Sequence, residues 1–120
     1  MPRRILVIDD NAAFRGALGQ VLETDGFVVV AGAATGVSGI QLARKHKPDL
    51  VIVDVQLPDT DGFDVAEQLA VLDPALDVIL TSGLDLSDLG ALVTDGAARG
   101  FIPKAELSVA AITTLLASTR

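Results

Sequence analysis

The chain has 120 residues, half of them hydrophobic, with a formal net charge of −7 and no cysteine, tryptophan or tyrosine. That length suits one domain, spanning 1–120, with a core that needs no staples. The missing cysteines exclude disulfides, thiolate metal sites and cysteine nucleophiles, the negative charge argues against nucleic-acid binding by the chain's own field, and aromatics at 3% supply poorly a stacked-base or flavin site.

No secretory leader is expected, because only four apolar residues separate Arg4 from Asp9-Asp10. No apolar run approaches the length of a membrane span, so a cytoplasmic protein is expected.

The elements follow in chain order. Arg4-Ile5-Leu6-Val7-Ile8 is an apolar run of strand length. Asp10 and Asn11 offer helix caps, and Phe14, Ala17, Leu18, Val21 and Leu22 recur at helical spacing until Gly26. Phe27 to Ala31 reads as a second strand. Thr35 caps a second helix carrying Val37, Ile40, Gln41 and Ala43, which Pro48 ends. Asp49 to Asp54 is a third strand, apolar on both faces, as a helix-covered parallel sheet demands. Leu57 to Gly62 is a loop by its turn residues. Phe63 to Leu72 predicts a third helix with Val65, Ala66, Leu69 and Ala70 on one stripe. Leu76 to Thr81 predicts a fourth strand, Leu86 to Val93 a short fourth helix, Gly100 to Pro103 a fifth strand, and Glu106 to Ser118 a final helix.

This strand–helix alternation, five times over, predicts an α/β fold: a doubly wound five-stranded parallel sheet of order 2-1-3-4-5, a flavodoxin-like three-layer sandwich. Sites in such sheets form at the carboxyl ends of the strands, near the switch in strand order. Strand 1 ends in Asp9-Asp10, strand 3 in Asp54, strand 4 in Thr81-Ser82, and strand 5 just before Lys104. Each alone would be an ordinary cap, turn former or surface charge; it is their joint arrival at one sheet edge that is informative. Three carboxylates repel one another and call for a cation. Oxygen ligands without His or Cys point to a hard metal, Mg²⁺ first. Lys104 adds a mobile positive charge, and a carboxylate can act as a nucleophile toward a phosphoryl donor.

With these residues in place, the sequence resembles the response-regulator receiver family of two-component signalling, over nearly the whole chain. The pieces are Val7-Ile8-Asp9-Asp10, Pro48-Asp49-Leu50-Val51-Ile52-Val53-Asp54, and the stretch from Asp54 through Leu57-Pro58 to Asp61-Gly62. Thr81-Ser82-Gly83, Asp95-Gly96-Ala97, Gly100-Phe101 and Lys104 complete the set. Order and spacing, more than any one piece, carry the likeness.

The resemblance implies that Asp54 is the phosphoacceptor. Mg²⁺ would be held by Asp10 directly, by Asp9 through water, by Asp54 and by the backbone carbonyl of Gln56. Lys104 would pair with the phosphoryl oxygens. Neighbouring strand residues point to opposite faces, so only one of Thr81 and Ser82 can serve. The family's hydroxyl commonly precedes a small residue, 22 positions before the lysine. Ser82 meets both conditions and Thr81 neither. Phe101 matches the switch aromatic; read from the residues alone, it is an ordinary core side chain.

The chain departs from the family pattern at Ala105, where many receivers have a proline in a cis bond after the lysine; a trans bond is expected. Leu84 occupies a position that tunes dephosphorylation in the family, and offers no help in orienting water. Slow intrinsic decay is therefore expected. His46, the single histidine, sits at a helix end and is not read as a phosphodonor.

The resemblance further implies that a histidine kinase or histidine phosphotransfer protein supplies the phosphoryl group. Phosphorylation would switch the face formed by the fourth helix, fifth strand and final helix, which could also form a homodimer. The chain would assist its own phosphorylation and dephosphorylation and is not expected to be an enzyme in the ordinary sense. Neither nucleic acid nor membrane is an expected partner of this domain. Two alternatives keep the fold: an FMN-binding flavodoxin-like protein, and a receiver-like interaction module without phosphorylation. The stretch from Phe101 to Leu107 resembles receivers fused to helix-turn-helix domains, so an output domain could follow.

Overall fold

Three runs of buried aliphatic residues form the centre of the sheet. In the computed structural model, which describes residues 3–83 and 97–117, these are β1 (Arg4–Ile8), β3 (Leu50–Asp54) and β4 (Asp77–Ser82). β2 (Val28–Ala33) and β5 (Gly100–Pro103) are the edges. All pairs are parallel and the order is β2-β1-β3-β4-β5, as the strand–helix alternation predicts.

Helices cover both faces because both faces of the central strands are apolar. The described helices are α1 (Ala12–Thr24), α2 (Gly36–His46), α3 (Gly62–Leu72) and α4 (Val109–Ala117). On one face, Leu6, Ile8, Val51, Val53, Val78 and Leu80 pack with Ala43, Val65, Ala66 and Leu69 of α2 and α3. On the other, Ile5, Val7, Leu50, Ile52, Ile79 and Ile102 pack with Leu18, Leu22 and Ile112 of α1 and α4. Consecutive strand residues alternate between the two clusters, which is the period-two pleat at work.

Local chemistry sets the ends. The Asn11 side chain caps α1 by accepting the Phe14 N–H at 3.0 Å. Gly26, at φ 91°, turns the chain after α1. Thr35 and Asp61 cap α2 and α3 in the same way as Asn11. Arg44, Lys45 and His46 fill the last turn of α2, where positive charge suits the helix dipole. Lys47 then takes a left-handed turn at φ 49° before Pro48.

Several boundaries differ from expectation for visible reasons. β2 starts one residue later and ends two residues later than the β-branched run suggests, because its register with β1 extends to Ile8 opposite Ala33. Asp49 stays outside β3, and its carboxylate accepts the Arg4 N–H at 2.9 Å. β4 runs one residue further, to include Ser82. The final helix begins at Val109, not Glu106. Lys104–Glu106 form a 3₁₀ turn, Leu107 is extended, and the Ser108 hydroxyl caps the helix by accepting the Ala111 N–H at 3.0 Å. Val21 and Val37, at helical spacing in the sequence, lie largely exposed.

Arg99 ties this helix to the sheet: its guanidinium pairs with Asp77 at 2.9 Å and donates to the Leu116 carbonyl at 2.9 Å. The expected fourth helix over 86–93 lies outside the described residues, as do Leu84, Asp95 and Gly96. Among the described residues, no helix is long and apolar enough to cross a membrane.

Candidate functional site

The switch in strand order places the ends of β1 and β3 side by side, with β1 leading outward to β2 and β3 to β4. Asp9 follows β1, its N–H donating to the Ala33 carbonyl at 2.9 Å. Its side chain is fully buried, and Oδ1 accepts the Asn11 N–H at 2.9 Å. The Arg15 guanidinium, one turn into α1, donates to the Asp9 carbonyl and so anchors the strand end from below. Asp10, beside it, is exposed.

Asp54 ends β3 and is also buried. Its Oδ1 accepts the Gln56 N–H at 2.9 Å, the first bond of the loop that follows. The loop closes tightly: the Gly62 N–H donates to the Val55 carbonyl at 2.8 Å, and Gln56 bridges Asp61. A Cβ at residue 62 would stand 2.6 Å from the Asp54 carbonyl oxygen and 2.9 Å from Val55 Cα. Only glycine lets α3 start this close to the backbone beneath Asp54.

Lys104, in the 3₁₀ turn after β5, reaches across β4 to both carboxylates. Its Nζ lies 2.8 Å from Asp9 Oδ2 and 3.0 Å from Asp54 Oδ2. The contact with Asp9 is an ion pair without hydrogen-bond alignment, so the buried Oδ2 has no aligned donor. Burial pushes the Asp54 carboxyl above its usual range; the Gln56 N–H and Lys104 oppose that, and the Asp9 charge adds to it. Burial pulls the Lys104 ammonium down, but its close contacts with the Asp9 and Asp54 carboxylates and their charges together outweigh it and leave the net shift upward.

The donor set fits a hard cation. Asp9, Asp10 and Asp54 can each present a carboxylate oxygen, all within 4.8 Å of one another. One ammonium against three carboxylates leaves negative charge uncompensated, and Asp9 Oδ2 is buried without an aligned donor. Oxygen-only donors of this kind suit Mg²⁺.

The two hydroxyls at the end of β4 have different surroundings. Thr81 donates to the Ile102 carbonyl at 2.6 Å and is thereby committed to the β5 backbone. Ser82, also buried, follows Leu80 on the same sheet face, and Leu80 stands in register with Phe101. Phe101 packs, half-buried, against the α2–α3 side of the core. Ser82 and Phe101 thus share a face. The Lys104–Ala105 bond is trans, as alanine there predicts; among the described residues no peptide bond is cis.

The sequence pattern hides the roles of two residues and the reason for a third. Phe14 registers there only as part of an apolar helical stripe, yet its ring lies under the Lys104 ammonium, 4.4 Å from centroid to Nζ. Asp59 registers only as a loop residue, yet its two oxygens accept the Gly36 and Val37 N–H groups at 2.8 and 3.0 Å. Those backbone donors hold its carboxyl below the usual range. Gly62 carried a signal, its place after Asp61 in a turn, but not the reason for it.

The family model of the response regulator receiver domain matches residues 5–116. The chain belongs to the response regulator receiver family. Among curated relatives, this receiver is similar to the transcriptional regulatory protein PdtaR of Mycobacterium tuberculosis, 38% identical over 104 residues that span 87% of this chain and 50% of PdtaR. It is also similar to the chemotaxis protein CheY of Bacillus subtilis, 31% identical over 87% of each chain. Among solved structures, a LuxR-family two-component response regulator from Aurantimonas sp. superposes with a TM-score of 0.88 at 28% identity, covering 100% of this chain and 89% of that one. The chain spans about half the length of the first curated relatives it matches.

Proposed function

We propose that this receiver is a phosphorylation-controlled switch. Asp54 accepts a phosphoryl group from a histidine kinase or a histidine phosphotransfer protein. The observation that carries the reading is the meeting of Lys104 Nζ with Asp9 and Asp54 at 2.8 and 3.0 Å, beside a third carboxylate at the strand-order switch.

Asp9, Asp10, Asp54 and the Gln56 carbonyl would hold Mg²⁺. When bound, the ion supplies positive charge that offsets the clustered carboxylates and the transferring phosphoryl oxygens. The residues do the rest. The Gln56 N–H pins Asp54 Oδ1 and leaves Oδ2 turned toward Lys104. Oδ2 attacks phosphorus, and the bond from phosphorus to the donor imidazole nitrogen breaks, its electron pair staying on that nitrogen. The Lys104 ammonium passes from the carboxylates to the phosphoryl oxygens. The Ser82 hydroxyl donates to one of these oxygens, and Phe101, on the same sheet face, follows inward. Phosphorylation adds about −1.5 to −2 charges at neutral pH, enough to bias a two-state face. That face comprises the expected fourth helix, β5 and α4, and it controls a partner, an output domain or a second copy. Residues 1–120 act as one unit that assists its own phosphorylation and dephosphorylation.

Intact-mass measurement after incubation with acetyl phosphate and Mg²⁺ tests the reading. A single phosphoryl adduct is expected, absent from Asp54→Asn and absent without the metal. No adduct with any small-molecule donor leaves only an interaction module. Light scattering with beryllofluoride checks the self-association separately, and an unchanged monomer removes it.

A further inference from the structure

Lys104 has a third neighbour besides its two carboxylates. The Asn11 cap fixes the first turn of α1, and that turn carries Phe14 to the edge of the site. The ring presents its face to the ammonium, with Nζ 4.4 Å from the centroid. That distance lies within the range at which a ring quadrupole attracts a cation. We propose that Phe14 is a positioning residue for Lys104, holding the ammonium at the mouth of the site by its ring face.

The chemistry favours an aromatic in this place. Lys104 is drawn toward Asp9 and Asp54, and these carboxylates are also the donors for a divalent cation. A cation drawing on the same carboxylates weakens their hold on the ammonium, whose flexible stem could then swing to water. A further carboxylate beneath Lys104 would hold it, but would deepen the repulsion already present among three acids. The face of a phenyl ring attracts the ammonium without adding charge and without competing as a metal ligand. Arg15, the neighbouring cation, donates to the Asp9 carbonyl and not to the carboxylate, so it leaves the acidic side chains to Lys104. Phe14 itself is half-buried against the α1–α4 side of the core, which keeps the ring in place.

This inference rests on the phosphoacceptor reading for its consequence, but not for the contact itself. Two measurements separate them. In NMR spectra of the metal-free chain, the Lys104 Hε protons should be shifted upfield by the Phe14 ring current, and Phe14→Leu should abolish the shift. In the acetyl phosphate reaction at saturating Mg²⁺, Phe14→Leu should slow adduct formation about two- to fivefold, the usual strength of a cation–π contact near a surface. Phe14→Tyr should restore the rate, and the half-saturating Mg²⁺ concentration should stay the same in all three proteins. The assignment is overturned if the wild-type chain shows no upfield shift, if Phe14→Leu reacts at the wild-type rate, or if Phe14→Tyr is as slow as Phe14→Leu. A wild-type chain that keeps the ring-current shift but takes no phosphoryl group instead overturns the phosphoacceptor reading, and the positioning role with it.

Discussion

Gly62 shows how a residue without a side chain shapes a site made of side chains. A Cβ there would meet the backbone of Asp54 and Val55, which cannot rotate away as a long side chain can. Gly62→Ala should therefore cost about 1–3 kcal/mol, the range for overpacking a tight site. It should also slow adduct formation on Asp54, because the strain falls on the backbone that carries the carboxylate. Urea unfolding and intact mass check the two effects. Wild-type stability together with a wild-type rate would mean that the loop relaxes freely and does not set the Asp54 position. The same scale explains why Thr81 and Ser82 are unequal. One hydroxyl is committed to the Ile102 carbonyl, while the other stands on the face of Phe101.

At the scale of elements, the loop after β3 holds α2 as well as α3. Asp59 caps the start of α2 through the Gly36 and Val37 N–H groups, adding to the Thr35 cap within the helix itself. The same loop carries Gln56, whose N–H holds Asp54. The site and the α2 N-terminus are thus joined through a few residues of backbone. The backbone donors lower the Asp59 pKa, so the folded state favours its ionised form. Its contribution to stability is present above the ordinary carboxylate range and fades as pH falls through the lowered value. Asp59→Ala should melt a few degrees lower than the wild type at neutral pH. The gap should close in strong acid, where both proteins carry no charge at residue 59. Thermal melts across the acid range check this, and a gap independent of pH would rule out the charged cap.

At the scale of the molecule, the sheet is stabilised from both faces by aliphatic packing, while its carboxyl edge gathers charge that the fold does not neutralise. Burial raises the Asp54 pKa, so its ionised form opposes folding. The sign follows: this group's favourable contribution is complete below the unfolded-state pKa and is lost as pH rises through the folded value. Asp54→Asn should accordingly melt higher than the wild type at neutral pH without metal. Mg²⁺ should raise the wild-type midpoint, by about 2.7 kcal/mol of stability at a concentration a hundredfold above its dissociation constant. Asp9→Asn and Asp10→Asn should respond less. Calorimetric melts with and without Mg²⁺ check all of these, and an equal response in every variant would place the ion elsewhere.

The order of elements, the parallel sheet and the identity of the acids at its edge were all legible in the sequence. Each rests on local patterns: apolar runs of strand length, helical spacing, caps at Asn11 and Thr35, and the Asp61-Gly62 turn. Contacts between distant residues were decided only by the tertiary structure. Phe14 is 90 residues from Lys104, and Asp59 is 22 or more from the N–H groups it caps. No periodicity records which face of a ring meets an ammonium, or that an acid in one loop closes the helix of another. The start of α4 was decided in the same way. Glu106 is an acceptable first-turn residue by propensity, but the chain must first turn Lys104 back over β4 toward Asp9 and Asp54. That turn uses three residues, Leu107 is extended and Ser108 caps, so the helix begins only at Val109. Propensity acts over a few neighbours along the chain, whereas the cluster of carboxylates and ammonium is assembled from the ends of β1, β3 and β5, which meet only when the sheet is complete.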